Sequence, residues 1–126
     1  MKVTRINHAA INVHGKWPEV EEFYTKFMGI ETTPRPGAID GAIGGCWLQF
    51  PNGQVHVIDA ELDGSAGNPM GPHVSYYVED LAGAINEIEE RGLEMRKFDI
   101  PDVGAIAWVT DPAGNTVEIQ QDPDCA

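Results

Sequence analysis

The sequence predicts an α+β fold built from two tandem β-α-β-β-β modules in one domain of 126 residues. Three observations predict it. A Pro-x-Gly turn followed by an alternating strand occurs twice, as Pro51-Asn52-Gly53 with Gln54–Ile58 and as Pro112-Ala113-Gly114 with Thr116–Gln120. Two helical stripes each end at a glycine, Gly29 and Gly92, 63 residues apart. Similar residue types recur at nearly the same offset: His8 and His73 are 65 apart, Pro51 and Pro112 are 61 apart, and His56 and Glu118 are 62 apart. A period of about 60 residues sustained along a whole chain reads as a tandem duplication, with small loop insertions causing the drift.

Each element has its own local reason. Val3–Val13 alternates, which puts Ile6, His8, Ala10 and Asn12 on one face with small neighbours around His8. Pro18 suits a first helical turn, where Glu19, Glu21 and Glu22 complement the helix dipole. Val20, Phe23, Tyr24, Phe27 and Met28 then recur at helical spacing as a core face, and Gly29 is a C-cap. Ile30–Pro36 reads as a short edge strand because Pro34 and Pro36 cannot donate to a ladder. Gly37–Gly45 reads as a flexible loop, and Cys46–Phe50 and Gln54–Ile58 complete the first module over 3–58.

Asp59–Pro72 lacks periodicity and reads as a linker. The order then repeats over 73–121. His73–Val78 is a strand, Asp80 caps a helix with the stripe Leu81, Ala84, Ile85 and Ile88, and Gly92 ends it. Strands follow at Leu93–Phe98, Ala105–Thr110 and Thr116–Gln120, and Asp122–Ala126 is a tail.

Composition narrows the function classes. A net charge of −12 argues against nucleic acid and against an anionic membrane as partners. No run of 18 apolar residues occurs, and the opening MKVTRINHAAINV lacks the apolar core of a signal peptide, so a cytoplasmic protein is expected. Cys46 and Cys125 are too few for a disulfide framework.

The repeat also selects a set of residues. Each copy carries a ligand-type residue on its first strand, His8 and His73, and another on its last, His56 and Glu118. A single such His is ordinarily a hydrogen-bonded structural residue, and a single Glu on a strand is ordinarily solvated. Three imidazoles and one carboxylate at equivalent positions are instead a donor set suited to a divalent first-row metal. Strand parity adds Trp47, Gln49, Tyr77, Trp108 and Gln120 as candidate substrate-binding residues on the same face.

The segments INHAAINV, EEFYTKFMGIE, GPHVSYYVEDL and WVTDPAGNTVEIQ resemble the vicinal oxygen chelate superfamily, which includes glyoxalase I, bleomycin-resistance proteins, methylmalonyl-CoA epimerase and extradiol dioxygenases. The resemblance spans residues 4–121. It implies paired modules whose sheets form a U-shaped half-barrel cup around a metal, with the ligands falling on His8, His56, His73 and Glu118. It implies a zinc, nickel, cobalt, iron or manganese ion, a small substrate chelated through adjacent oxygens, and glyoxalase I-like lyase or isomerase chemistry with Glu118 as ligand or general base. It further implies a homodimer, with modules paired within one chain or exchanged between two. Asn12 and Ala60 stand where glutathione-dependent glyoxalases carry Arg and Asn, so glutathione is not expected as a substrate. The alternatives are a metal-free, bleomycin-resistance-like protein that sequesters a cationic aromatic ligand, and an extradiol-type dioxygenase.

Overall fold

The computed structural model describes residues 1–64 and 67–125. In chain order it contains β1 (Val3–Asn12), α1 (Trp17–Glu22) running into a π turn (Phe23–Phe27), β2 (Thr32–Thr33), α2 (Gly37–Asp40), β3 (Gly44–Phe50) and β4 (Gly53–Asp59). The second half holds β5 (His73–Val78), α3 (Leu81–Glu90), β6 (Arg96–Ile100), β7 (Gly104–Thr110), β8 (Thr116–Gln121) and a short 3₁₀ turn (Pro123–Cys125). No helix among the described residues is long and apolar enough to cross a membrane.

All eight strands form one open sheet in the order β2-β3-β4-β1-β5-β8-β7-β6. Within each half, the first strand runs parallel to the last, β1 to β4 and β5 to β8. The halves join through the antiparallel β1–β5 pair of the same chain. The sequence left open whether the modules pair within one chain or between two, and this fold pairs them within one.

Register decides which side chains meet. One row across the sheet runs Gln54, His8, Ser75, Glu118 and Trp108. The neighbouring row runs Trp47, His56, Ala10, His73 and Thr116. His8 and Ala10 are two residues apart on β1, so both rows project from the same face. Duplication therefore becomes proximity: the four repeat-related residues sit on the four central strands.

On the other face, α3 packs as its stripe predicts. Leu81, Ala84 and Ile88 are buried against Val78, Ala107 and Ile119. Asp80 caps the helix by accepting from the Gly83 amide at 3.1 Å.

The first half differs from its sequence reading. The expected core face of the first helix holds no buried residue, and Phe23 and Phe27 are 48% and 79% exposed. The helix continues into the π turn, where Met28 N–H bonds Phe23 O at 3.0 Å. That wider turn breaks the 3.6-residue period on which the stripe is read, although the regular turn before it buries no residue either. The edge strand expected over Ile30–Pro36 shrinks to Thr32–Thr33, because flanking prolines offer no amide to a ladder. Gly37–Gly45, expected as a loop, begins with the short helix α2. The strand expected over Leu93–Phe98 starts later, at Arg96, after the turn beyond Gly92.

The expected C-terminal tail is anchored. Asp122 is buried, accepts from Thr4 Oγ1 at 2.6 Å and forms an ion pair with Arg5 at 3.0 Å. These donors hold its carboxyl well below the usual range and tie the segment after β8 to the start of β1. Within the expected linker Asp59–Pro72, residues 65 and 66 lie outside the described residues, as does Ala126 of the expected tail.

Candidate metal centre

His8, His73 and Glu118 converge in the cup. All three are buried, and one ligand atom from each lies within 4.8 Å of the others. His8 Nε2 is 3.3 Å from His73 Nε2 and 3.4 Å from Glu118 Oε2. His73 Nε2 is 3.4 Å from Glu118 Oε1. Donor atoms that each lie about 2.1 Å from one metal ion and 90–110° apart are separated by about 3.0–3.4 Å, so the spacing fits a shared ion.

Protonation fits as well. His73 Nδ1 is 2.8 Å from the Gly71 carbonyl oxygen, which can only accept. The proton of neutral His73 therefore sits on Nδ1, and the Nε2 lone pair faces His8 and Glu118. His8 Nδ1 is buried with no hydrogen-bond partner, leaving Nε2 as the end of that ring that meets polar groups. Gln120 Nε2 donates to Glu118 Oε2 at 2.9 Å and orients the carboxylate.

Electrostatics keep the set in ligand form. Burial pushes His8 down to about 4, against the attraction of Glu118. Burial also tends to raise Glu118, but His73 and His8 outweigh it and hold the carboxyl at about 2. His73 feels the same burial but is raised on balance by its contact with Glu118. At neutral pH the site thus contains a carboxylate and a neutral His8, and a metal ion would bind the neutral form of His73 through Nε2.

His56 takes a different place from the other three. Its ring stacks on His8, with centroids 3.6 Å apart, and on Trp47, with centroids 4.2 Å apart. Its Nε2 lies 2.8 Å from Gln54 Oε1. A relay of amides sets the polarity of that bond. Gln49 Nε2 donates to Phe50 O, so Gln49 Oε1 accepts from Gln54 Nε2, and Gln54 Oε1 accepts from His56 Nε2–H. Coordination through Nε2 would require this bond to break. Burial and the neighbouring His8 push His56 down to about 2.

The cluster opens into a cavity of about 640 Å³. Trp47, Tyr77, Trp108 and Gln120 line it, as strand parity predicts. Gln49 does not. It is exposed on the β3–β4 hairpin and acts on the site only through Gln54. Trp108 Nε1 is a further buried polar atom with no partner, Ser75 Oγ interacts with the Glu118 carboxylate, and both residues flank Glu118 in the register. Arg35 is a lining residue that strand parity could not find, because it lies in the irregular segment after β2.

A family model described as the Glyoxalase/Bleomycin resistance protein/Dioxygenase superfamily matches residues 5–119. The chain belongs to this superfamily. Among curated proteins, none matches its sequence. Solved structures of superfamily type share the fold. Methylmalonyl-CoA epimerase from Mycobacterium tuberculosis is similar with a TM-score of 0.70 at 18% identity, over 97% of this chain and 91% of that one. A hypothetical protein from Bacillus halodurans C-125 is similar with a TM-score of 0.67 at 16% identity, over 97% and 96% of the two chains. An extradiol ring-cleaving dioxygenase from B. fuscum has a TM-score of 0.69 at 15% identity, over 96% of this chain but 33% of its own. At such identities the likeness establishes the glyoxalase-like fold. The buried His-His-Glu cluster makes a divalent metal a chemically fitting occupant of this superfamily member's cup.

Proposed function

We propose that the protein is a metal-dependent vicinal oxygen chelate enzyme acting on a small substrate that presents two adjacent oxygens. The observation that carries this is the buried triad of His8, His73 and Glu118, with the His73 tautomer fixed by Gly71 and Glu118 oriented by Gln120. A divalent first-row ion held there supplies Lewis acidity to a chelated oxygen. The chain's residues supply the rest. Trp47 and Trp108 offer apolar walls beside the triad. Glu118, ionised throughout the neutral range, would act as a ligand to the ion or, released from it, as the base that takes a proton from a carbon next to the chelated oxygens. Trp108 Nε1–H is a buried donor without a partner beside that carboxylate, and Ser75 Oγ–H helps to hold the carboxylate ionised. Glutathione is not the expected substrate, and a homodimer remains the expected assembly.

A second reading follows from His56. With its Nε2 committed to Gln54, the triad alone is two imidazoles and one carboxylate, the donor set of non-haem iron oxygenases. That observation favours the extradiol-type alternative over a four-ligand site. One experiment separates the readings. Protein loaded with Zn²⁺, Co²⁺, Ni²⁺ or Mn²⁺ is incubated with small hydroxyketones in D₂O, and anaerobically Fe²⁺-loaded protein is mixed with catechols while oxygen is monitored. Solvent deuterium appearing next to the carbonyl, and lost in Glu118→Gln protein shown to retain its metal, supports the proton-transfer reading. Oxygen uptake with ring-cleaved product supports the second. Neither activity, in protein shown to bind metal, contradicts both.

A further inference from the structure

Arg35 is the one cationic side chain lining the cavity among the described residues. Its side chain is only 7% exposed, although it follows an edge strand. Pro34 and Pro36 restrict the backbone on both sides of it, and α2 begins immediately afterwards. The guanidinium is fixed along one edge. Nε and Nη2 donate to Asp40 Oδ1 at 3.1 and 2.9 Å, and Nη2 also donates to Ile43 O at 2.7 Å. Nη1 has no protein partner among the described residues and is not fully buried. In a largely apolar cavity, a pre-oriented guanidinium with free donors is a recognition element for a carboxylate.

The cavity is asymmetric in charge. Arg35 belongs to the β2 edge of the open sheet, whereas Asp99 and Asp102 line the cavity beside β6, at the opposite edge. The triad lies on the central strands between these rims. An anionic group is attracted to one rim and repelled from the other, which gives a bound ligand a direction.

We propose that Arg35 is the anion anchor of the cavity, and that the ligand is a small, largely apolar monocarboxylate. Its charged group meets Arg35 Nη1 while its oxygen-bearing end reaches the His8–His73–Glu118 cluster. This rests on the reading of the cavity as the ligand site. Aromatic walls of Trp47 and Trp108 suit a ring or short alkyl body between the two ends. A single partly neutralised guanidinium suits one negative charge and disfavours a phosphate dianion.

The test measures calorimetric affinity for two nearly isosteric probes, 3,4-dihydroxybenzoate and 3,4-dihydroxybenzamide, in the full chain with and without Zn²⁺. The carboxylate is expected to bind at least about tenfold more tightly than the amide, in both forms, as a charge-assisted hydrogen bond to a partly buried guanidinium requires. Arg35→Met is expected to abolish that preference, and Arg35→Lys to leave part of it. Because Arg35→Met also loosens α2, Asp40→Asn provides an independent check. It keeps an acceptor for Arg35 and removes the competing charge at an exposed position, so the preference should rise roughly twofold or more. A preference seen only with Zn²⁺ and unchanged by Arg35→Met places the carboxylate on the metal and overturns the proposal. Equal binding of the two probes, or no binding of either at millimolar concentration, also overturns it. If no metal binds but the Arg35-dependent preference persists, the metal reading fails and the anchor stands.

Discussion

Acidification from pH 6.5 to 5 should destabilise the metal-free protein through two buried imidazoles. His8 is lowered from 6.5 to about 4 and His56 from 6.5 to about 2, both chiefly by burial. Below pH 6.5 the unfolded chain binds a proton at each of these residues and the folded chain does not. Stability therefore falls as pH falls, by about 1.4 kcal/mol per pH unit for each proton of difference. His73 acts in the opposite sense, since its folded value is raised. Its contribution is present below the unfolded value and lost as pH rises through the folded one, so it opposes the loss weakly in this window. Glu118 stabilises above pH 4.5 and loses its contribution only as pH falls toward about 2, outside the window. The net loss from pH 6.5 to 5 is about 3 kcal/mol, a large share of a typical domain's stability. His56→Phe keeps an aromatic ring against Trp47 and His8 and removes one titrating group, so the loss should fall to about half. Urea denaturation at pH 7.5, 6.5, 5.5 and 5.0 in the presence of a chelator measures both slopes. A stability that is flat or rising from pH 6.5 to 5, or an unchanged slope in His56→Phe, refutes the burial argument.

Other perturbations probe the scaffold by urea denaturation at neutral pH. Gly45→Ala should cost at least about 3 kcal/mol, because at φ +118 a Cβ would lie 1.9 Å from the Val57 carbonyl oxygen. Gly29→Ala, with φ +69 but nothing within 4 Å, should cost only about 1 kcal/mol; equal losses at the two positions would contradict the steric account. Asp80→Ala should cost about 1 kcal/mol through loss of the α3 cap. Ile88→Ala should cost about 2–5 kcal/mol as a cavity beneath α3.

Much of this architecture was legible in the sequence because duplication is a long-range signal written locally. His8, His73, His56 and Glu118 sit at matching offsets, and matching offsets in a β-α-β-β-β repeat become neighbouring positions once β1 pairs with β5. Strand parity likewise found Trp47, Tyr77, Trp108 and Gln120, since alternation fixes the face. It failed at Gln49, which shares the face of Trp47 but lies too near the hairpin end to reach the cavity. Other features depend on partners far along the chain. Asp122 looks like tail until Thr4 and Arg5 meet it. Arg35 looks like a proline-flanked surface residue until α2 folds beside it. The π turn weakens a stripe argument because its i→i+5 hydrogen bond departs from the 3.6-residue period while the spacing of Phe23 and Phe27 in the sequence still looks helical. The orientation of His56 was equally hidden, since it depends on the two-step relay through Gln54 and Gln49.

The most direct test of the central claim is metal stoichiometry by elemental analysis, on untagged protein that has never contacted an immobilised-metal column. The wild type and the variants His73→Ala, Glu118→Ala and His56→Phe are each equilibrated with Zn²⁺, Ni²⁺, Co²⁺, Mn²⁺ and, anaerobically, Fe²⁺, then desalted. The account predicts close to one ion per chain in the wild type, retention in His56→Phe, and loss in both triad variants, each still folded by circular dichroism. No uptake of any of these ions by the wild type, or retention in the two triad variants, would contradict it.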